Sequence, residues 1–320
     1  MKKLILILSV FGAVASLHAQ QDAQYSQFFL NKLSYNPGFA GSEDKICITG
    51  LARTQWLGFG NSKDGTSPST QVLNIHAPLG QSFGIGANLI HDQLGYENSL
   101  NPTLSLSYRY HFKNESVLAA GLGVGFMQKS LAGGKLKPLE DNDTYIPKTD
   151  VTGFAPDFSF GLYYTMPSLW RFNNVYAGLS ATHLNQGNAK YETIVDNPMK
   201  LHYYFMTGAS YELSPSLAIE PNILVKTDVA KTSADINAML MYNNKIRGGL
   251  SYRTADAVVI LLGYKFTESL QVGYSYDLTT SKIISYSTGS HEIALRYCFM
   301  PKFNPKPDKP PVPRLTPRFL

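Results

Sequence analysis

Leu104-Ser105-Leu106-Ser107-Tyr108-Arg109-Tyr110-His111-Phe112 alternates without a break between apolar and polar side chains. Successive residues of an extended strand point to opposite faces, so this stretch has one greasy face and one polar face. The same period recurs in Leu270, Val272, Tyr274, Tyr276 and Leu278 against Gln271, Gly273, Ser275 and Asp277. It returns in Ile293, Leu295, Tyr297 and Phe299 against Glu292, Ala294, Arg296 and Cys298. Dyads of about ten residues or more are longer than typical soluble strands and suit a strand tilted across a bilayer.

Working outward, about fourteen such segments fill residues 46–299. They lie near 46–57, 69–79, 82–93, 99–112, 115–130, 153–166, 173–185, 199–213, 216–227, 232–243, 245–254, 257–267, 269–280 and 289–299. The apolar parity is free of Lys, Arg, Asp and Glu away from the segment ends, the seventh segment being the least regular. A charge facing lipid at mid-depth costs about 2–4 kcal/mol. The opposite parity carries Arg53, Arg109, Asp157, Glu212, Glu220, Lys226, Asp235, Arg247, Lys265 and Arg296. Charged inside and greasy outside is the inverse of a soluble barrel. The pattern predicts an all-β, transmembrane antiparallel barrel of about 14 strands.

The connections are a second test. Those near 79–82, 113–116, 213–216, 243–244 and 267–269 are tight, and those near 58–69, 129–153, 185–198 and 279–290 are long. Outer-membrane barrels alternate in this way, with short periplasmic turns and long outer loops. The phase predicts both termini in the periplasm. The join at 167–174, long for a periplasmic turn, and that at 254–256, short for an outer loop, break the alternation.

Composition agrees. Charged residues make up 16% of the chain and aromatics 12%, whereas a soluble domain carries about 25% charged residues. Lys2 and Lys3 precede an apolar run, 4–17, with small residues near Ala19. This reads as an export signal over 1–19, too short to span a bilayer. Beyond it no run of about 18 apolar residues offers a transmembrane helix. The formal charge of +5 arises from 28 basic and 23 acidic residues. Removing Lys2 and Lys3, and then Lys302, Lys306, Lys309, Arg314 and Arg318 against Asp308, leaves 21 basic and 22 acidic residues. The basicity therefore belongs to a tail, 300–320, whose seven prolines include Pro310 and Pro311. Such a segment cannot join a sheet ladder and reads as extended polyproline-like chain, either a disordered end or a ligand for a periplasmic protein.

No catalytic, cofactor or metal motif is present. H-E-x-x-H, G-x-S-x-G and P-loop patterns are missing, and the histidines are scattered. His91 and Asp92 are adjacent on a strand and so face opposite ways. Gly121, Gly123 and Gly125 share one parity and suggest a thinned wall or a close internal segment. Cys47 opens the first strand and Cys298 nearly ends the last, both facing inward. Closure of the barrel makes these strands neighbours, so the two form a seam disulfide, or barrel stagger leaves them as free buried thiols.

The stretch Gln24-Tyr25-Ser26-Gln27-Phe28-Phe29, then Asn31, then Tyr35-Asn36-Pro37-Gly38-Phe39-Ala40-Gly41-Ser42 resembles the opening of the PorP/SprF family. Arg53-Thr54-Gln55-Trp56 is similar to its R-x-Q-W motif, and Ser290-His291-Glu292-Ile293-Ala294-Leu295-Arg296-Tyr297 resembles its last strand. The resemblance implies an outer-membrane protein without enzymatic activity that supports type IX secretion and gliding. Its partners would be the C-terminal domain of a secreted adhesin at the outer loops and periplasmic lipoproteins at the termini. The expected arrangement has residues 20–45 as a partial plug in the periplasmic mouth, or as a flexible arm. Gln27, Asn31 and Asn36 then bond inward charges, Arg53 joins an interior ion-pair network or contacts a ligand, Gln55 shares its inward parity, and Trp56 faces out at a rim. The alternative is a plugged, fourteen-stranded transporter.

Overall fold

The computed structural model describes residues 22–59, 67–136, 146–191 and 198–300. The expected signal, 1–19, and tail residues 301–320 lie outside these. Fourteen antiparallel strands form one closed barrel, each paired with its sequence neighbours and the first with the last. The first seven are β1 (Ile46–Thr54), β2 (Ser69–Leu79), β3 (Phe83–Leu94), β4 (Glu97–His111), β5 (Val117–Leu131), β6 (Val151–Leu169) and β7 (Phe172–Thr182). The others are β8 (His202–Ser214), β9 (Leu217–Thr227), β10 (Thr232–Tyr242), β11 (Ile246–Arg253), β12 (Ala257–Lys265), β13 (Leu270–Thr279) and β14 (Ser290–Phe299). Closure leaves no unpaired edge, as a sheet in hydrocarbon requires.

The alternation sets which face meets lipid. On β4, Leu104 is 66% exposed whereas Arg109, on the other parity, is 2% exposed. Exposed or half-buried aromatic pairs, among them Phe83–Tyr108, Tyr110–Phe112, Phe172–Tyr211, Tyr264–Phe266 and Tyr297–Phe299, ring the end where β1 begins and β14 ends. Such rings sit at the lipid–water boundary of membrane barrels. We call this the near end. All its turns are short: 80–82, 112–116, 170–171, 215–216, 243–245 and 266–269. The join between β6 and β7, expected to be long, is two residues, because both strands run further than their alternation suggested and Trp170 turns with φ +56°. The long connections between β1 and β2, β5 and β6, and β7 and β8 leave from strand ends at the far end, where their described residues 55–59, 67–68, 132–136, 146–150, 183–191 and 198–201 lie.

Residues 22–45 occupy the lumen in three short 3-10 turns, Phe28–Leu30, Lys32–Ser34 and Pro37–Phe39. Here the structure corrects the expected path. Asp22 bonds His183 and Tyr204, which follow and begin far-end strand termini, whereas Glu43 and Asp44 meet Arg296 and Arg109 toward the near end. The segment therefore threads the barrel from far mouth to near mouth. Asp22 and Phe299 thus lie at opposite ends of the barrel, although the plug runs along β14 through Ser26, Gln27 and Glu43. The reason is charge: the partners of Asp22 and Ser26 sit toward the far end of the wall, and the plug residues that bond them lie there.

Candidate functional site

The site is the plugged lumen, and the plug is the barrel's core. Tyr25, Phe28, Leu30, Leu33, Tyr35, Phe39 and Ala40 pack against inward Leu51, Val72, Tyr163, Tyr176, Met206 and Leu224. Backbone must approach backbone for this. Asn36 lies over Gly161, where an added Cβ would fall 2.0 Å from its Oδ1, and Pro37 covers Gly121, where one would fall 2.4 Å from its carbonyl carbon. Gly121 thus fits the close-segment reading, whereas Gly123 and Gly125 are crowded by Ser159, Pro102 and Thr103 of the wall itself. Wall hydroxyls satisfy plug carbonyls: Ser107 donates to Ala40 O at 2.7 Å and Ser180 to Tyr35 O at 2.6 Å. A buried carbonyl left without a donor is costly, so these bonds fix the plug's register.

Toward the far end Ser26 is the hub of a buried ion network. Its hydroxyl accepts from Arg53 Nη1 at 2.9 Å and Arg253 Nη2 at 3.0 Å and donates to Asp277 at 2.7 Å. The backbone amides of Ser26 and Gln27 each donate to Glu292 at 2.8 Å. Arg53 pairs with Asp277 at 2.8 Å and Glu292 at 3.3 Å; Arg253 pairs with Asp235 at 2.7 Å and Asp277 at 2.9 Å. Removing one member strands a buried charge, so the network specifies where the plug sits. Arg53 belongs to it, with Glu292 as partner. Arg253 was not singled out from sequence, although it shares the inward parity of Arg247.

Toward the near end Glu43 pairs with Arg296, and Asp44 with Arg109 at 2.5 Å. Burial opposes ionisation of Glu43, but the Arg296 guanidinium outweighs it and holds the carboxyl down at about 2. Burial depresses the Lys32 ammonium to about 8, even though it stands 3.5 Å over the Tyr176 ring. Cys47 and Cys298 are directly opposed in the β1–β14 register and joined as a disulfide, with Cα atoms 4.1 Å apart.

Other expectations need correction. Asn36 donates to the Leu162 and Leu179 carbonyls, at 2.9 and 3.3 Å, and Asn31 accepts from Asn74 at 2.5 Å. These amides meet neutral wall groups, because the charged positions lie above and below them. Gln55 and Trp56 line a far-end cavity. Trp56 does not continue the outward parity, since β1 stops at Thr54 and Trp56 takes φ +51°. Glu212 is exposed beside a register shift in β8. The histidines are not all scattered: ligand atoms of Asp22, His183 and His202 lie within 4.8 Å of one another. Burial resists ionisation of Asp22, but the two imidazoles and the Tyr204 hydroxyl hold its carboxyl well below the usual range.

The far-end cavity has a volume of about 880 Å³ and is floored by Asp22, Tyr25, Ser34 and Tyr35. Its walls include Asp92, Lys129, Asp157, His183, Lys200, Arg253 and Asp256. The plug closes it beneath.

Solved structures share the architecture. The Ralstonia pickettii toluene transporter TbuX aligns with TM-score 0.51 at 13% identity over 85% of this chain and 93% of that one. The CymD monoaromatic hydrocarbon channel aligns at 0.49 and 13% over 85% and 93%. A Pseudomonas aeruginosa FadL homologue aligns at 0.45 and 10% over 80% and 90%. At such identity the likeness concerns the fold alone. No curated protein matches the sequence. The family described as type IX secretion system membrane protein PorP/SprF matches residues 17–297. With that span, a closed fourteen-stranded barrel and a lipid-facing exterior, the chain is an outer-membrane member of the type IX secretion PorP/SprF family.

Proposed function

We propose that this barrel is a non-enzymatic anchor that holds a secreted adhesin at the cell surface and couples it to periplasmic secretion or gliding components. The observation that carries the reading is the lumen filled by residues 22–45, hydrogen-bonded to a buried ion network through Ser26 and Gln27 at the far end and paired with Arg296 and Arg109 at the near end. A rigid, closed barrel suits holding better than passage. The long connections 55–68, 132–150 and 183–201 form the outer face, where the adhesin's C-terminal domain docks. The short turns and the basic tail, with Lys302, Lys306, Lys309, Pro310, Pro311, Arg314 and Arg318, face the periplasm, where a lipoprotein is engaged.

The test is a pull-down of surface and periplasmic proteins with the intact barrel, repeated after deleting residues 301–320. Retention of the adhesin with loss of a periplasmic lipoprotein is expected. Capture of neither by the intact barrel would refute the anchor. The far-end cavity, about 880 Å³ with a charged lining, favours uptake of a polar solute as the second reading. Sustained solute-permeable openings in planar bilayers would support that reading over the anchor.

A further inference from the structure

Where the plug enters the far end, three chain segments distant in sequence bring one carboxylate and two imidazoles together. Asp22 Oδ1 lies 3.0 Å from His183 Nε2, and Asp22 Oδ2 lies 3.8 Å from His202 Nδ1. Zinc bound through about 2.0–2.1 Å bonds in a tetrahedron separates its ligand atoms by about 3.3 Å. One ligand atom from each of the three residues lies within 4.8 Å of the others, so side-chain shifts bring them to that edge around an ion. The other nitrogen of His183, Nδ1, lies 2.9 Å from Asp157 Oδ1, and Asp157 in turn accepts from Asn101 at 2.8 Å. A carboxylate behind a ligating imidazole fixes its tautomer and raises its basicity, the usual second layer of a zinc site. His183 itself is held at φ +57°, in the left-handed region, a cost of order 1–3 kcal/mol that surrounding contacts must over-determine. All four residues line the far-end cavity, so an ion has a path from solution.

We propose that Asp22, His183 and His202 form a zinc site with a fourth position open to the cavity. Two nitrogens and one oxygen with an open position is a donor set zinc accepts. His183 ligates through Nε2 while Nδ1–H donates to Asp157. His202 Nδ1 donates to the Lys200 carbonyl at 2.9 Å. On zinc binding the His202 proton shifts from Nδ1 to Nε2, freeing Nδ1 as the ligand, and His183, whose two nitrogens each face a carboxylate, releases its Nε2 proton to solvent, so binding weakens as pH falls. Because Asp22 belongs to the plug and both histidines to the wall, the ion ties the plug to the β7–β8 connection. A water or a side chain of a docked partner takes the fourth position. The inference is independent of the adhesin reading.

The test uses the full barrel purified in detergent, stripped with a chelator and desalted, and titrated calorimetrically with zinc chloride. Heat-modifiable gel mobility checks that every variant is folded. One zinc per chain is expected, with binding lost in His202→Gln and weakened about 10–100-fold in Asp157→Asn. Cobalt substitution is expected to give the visible absorption of a four-coordinate ion. His76→Gln, at the separate group Glu43, Cys47 and His76, should bind as the wild type does. No saturable zinc binding by the folded wild type would overturn the site and leave a protein-only clasp. Equal binding by folded His202→Gln, or loss in His76→Gln instead, would also overturn it.

Discussion

Ser26 shows how much one small side chain can organise. Its hydroxyl bonds both guanidiniums and the Asp277 carboxylate that they share, tying the plug to all three. Arg253→Met removes the cation shared by Asp235 and Asp277 and leaves both carboxylates buried. A loss of about 3–5 kcal/mol is expected, measured by urea unfolding in lipid vesicles. A loss below about 1 kcal/mol would mean that the network is solvated. Glu43 gives a prediction in pH. Its folded carboxyl titrates at about 2, below its ordinary 4.5. The pairing with Arg296 therefore contributes fully above 4.5 and is lost as pH falls toward 2. Glu43→Gln should flatten the acid dependence of stability across that window. An unchanged slope between the two would contradict the ion pair.

At the scale of elements, the plug and the inner wall are cut to one another. Three 3-10 turns give residues 28–39 a compact, side-chain-rich course, and glycines on the wall let its backbone come close. Gly161→Val places methyls where Asn36 Oδ1 now lies, and no rotamer change of a plug side chain frees the Pro37 ring beside it. The expected result is an unseated plug, seen as new protease cleavage within 22–45 and as ion conductance in planar bilayers. Gly50→Val, at a position where an added Cβ meets nothing within 4 Å, should leave both unchanged. Equal behaviour of the two variants would show that the fit is slack.

For the molecule as a whole, the seam between β1 and β14 joins chain ends 251 residues apart. A crosslink of that span restricts the unfolded chain strongly, in the loop-closure view. Cys298→Ser should lower unfolding stability by on the order of 2–4 kcal/mol while leaving a closed barrel, measured by thermal melting without reductant. No change would assign closure to strand pairing and plug packing alone. The plug acts in the same direction. It turns a hollow cylinder into a filled body whose packed core resembles that of a soluble protein, with lipid outside.

Strand positions, parity and the barrel were legible because they are one-dimensional properties. A period of two, with charges confined to one parity, is written residue by residue, and hydrocarbon enforces it at every strand. The inward placement of Arg53, Arg109, Glu292 and Arg296 followed from the same alternation, as did the possible meeting of Cys47 and Cys298. What met what inside was decided only by the closed tube. Ser26 and Glu292 are 266 residues apart, Asp22 and His183 161. Their meeting depends on strand stagger and on which mouth the plug enters, and neither leaves a local pattern in the chain. Trp56 marks the boundary between the two kinds of knowledge, since alternation predicts its direction only while the strand lasts, and the strand ends two residues before it.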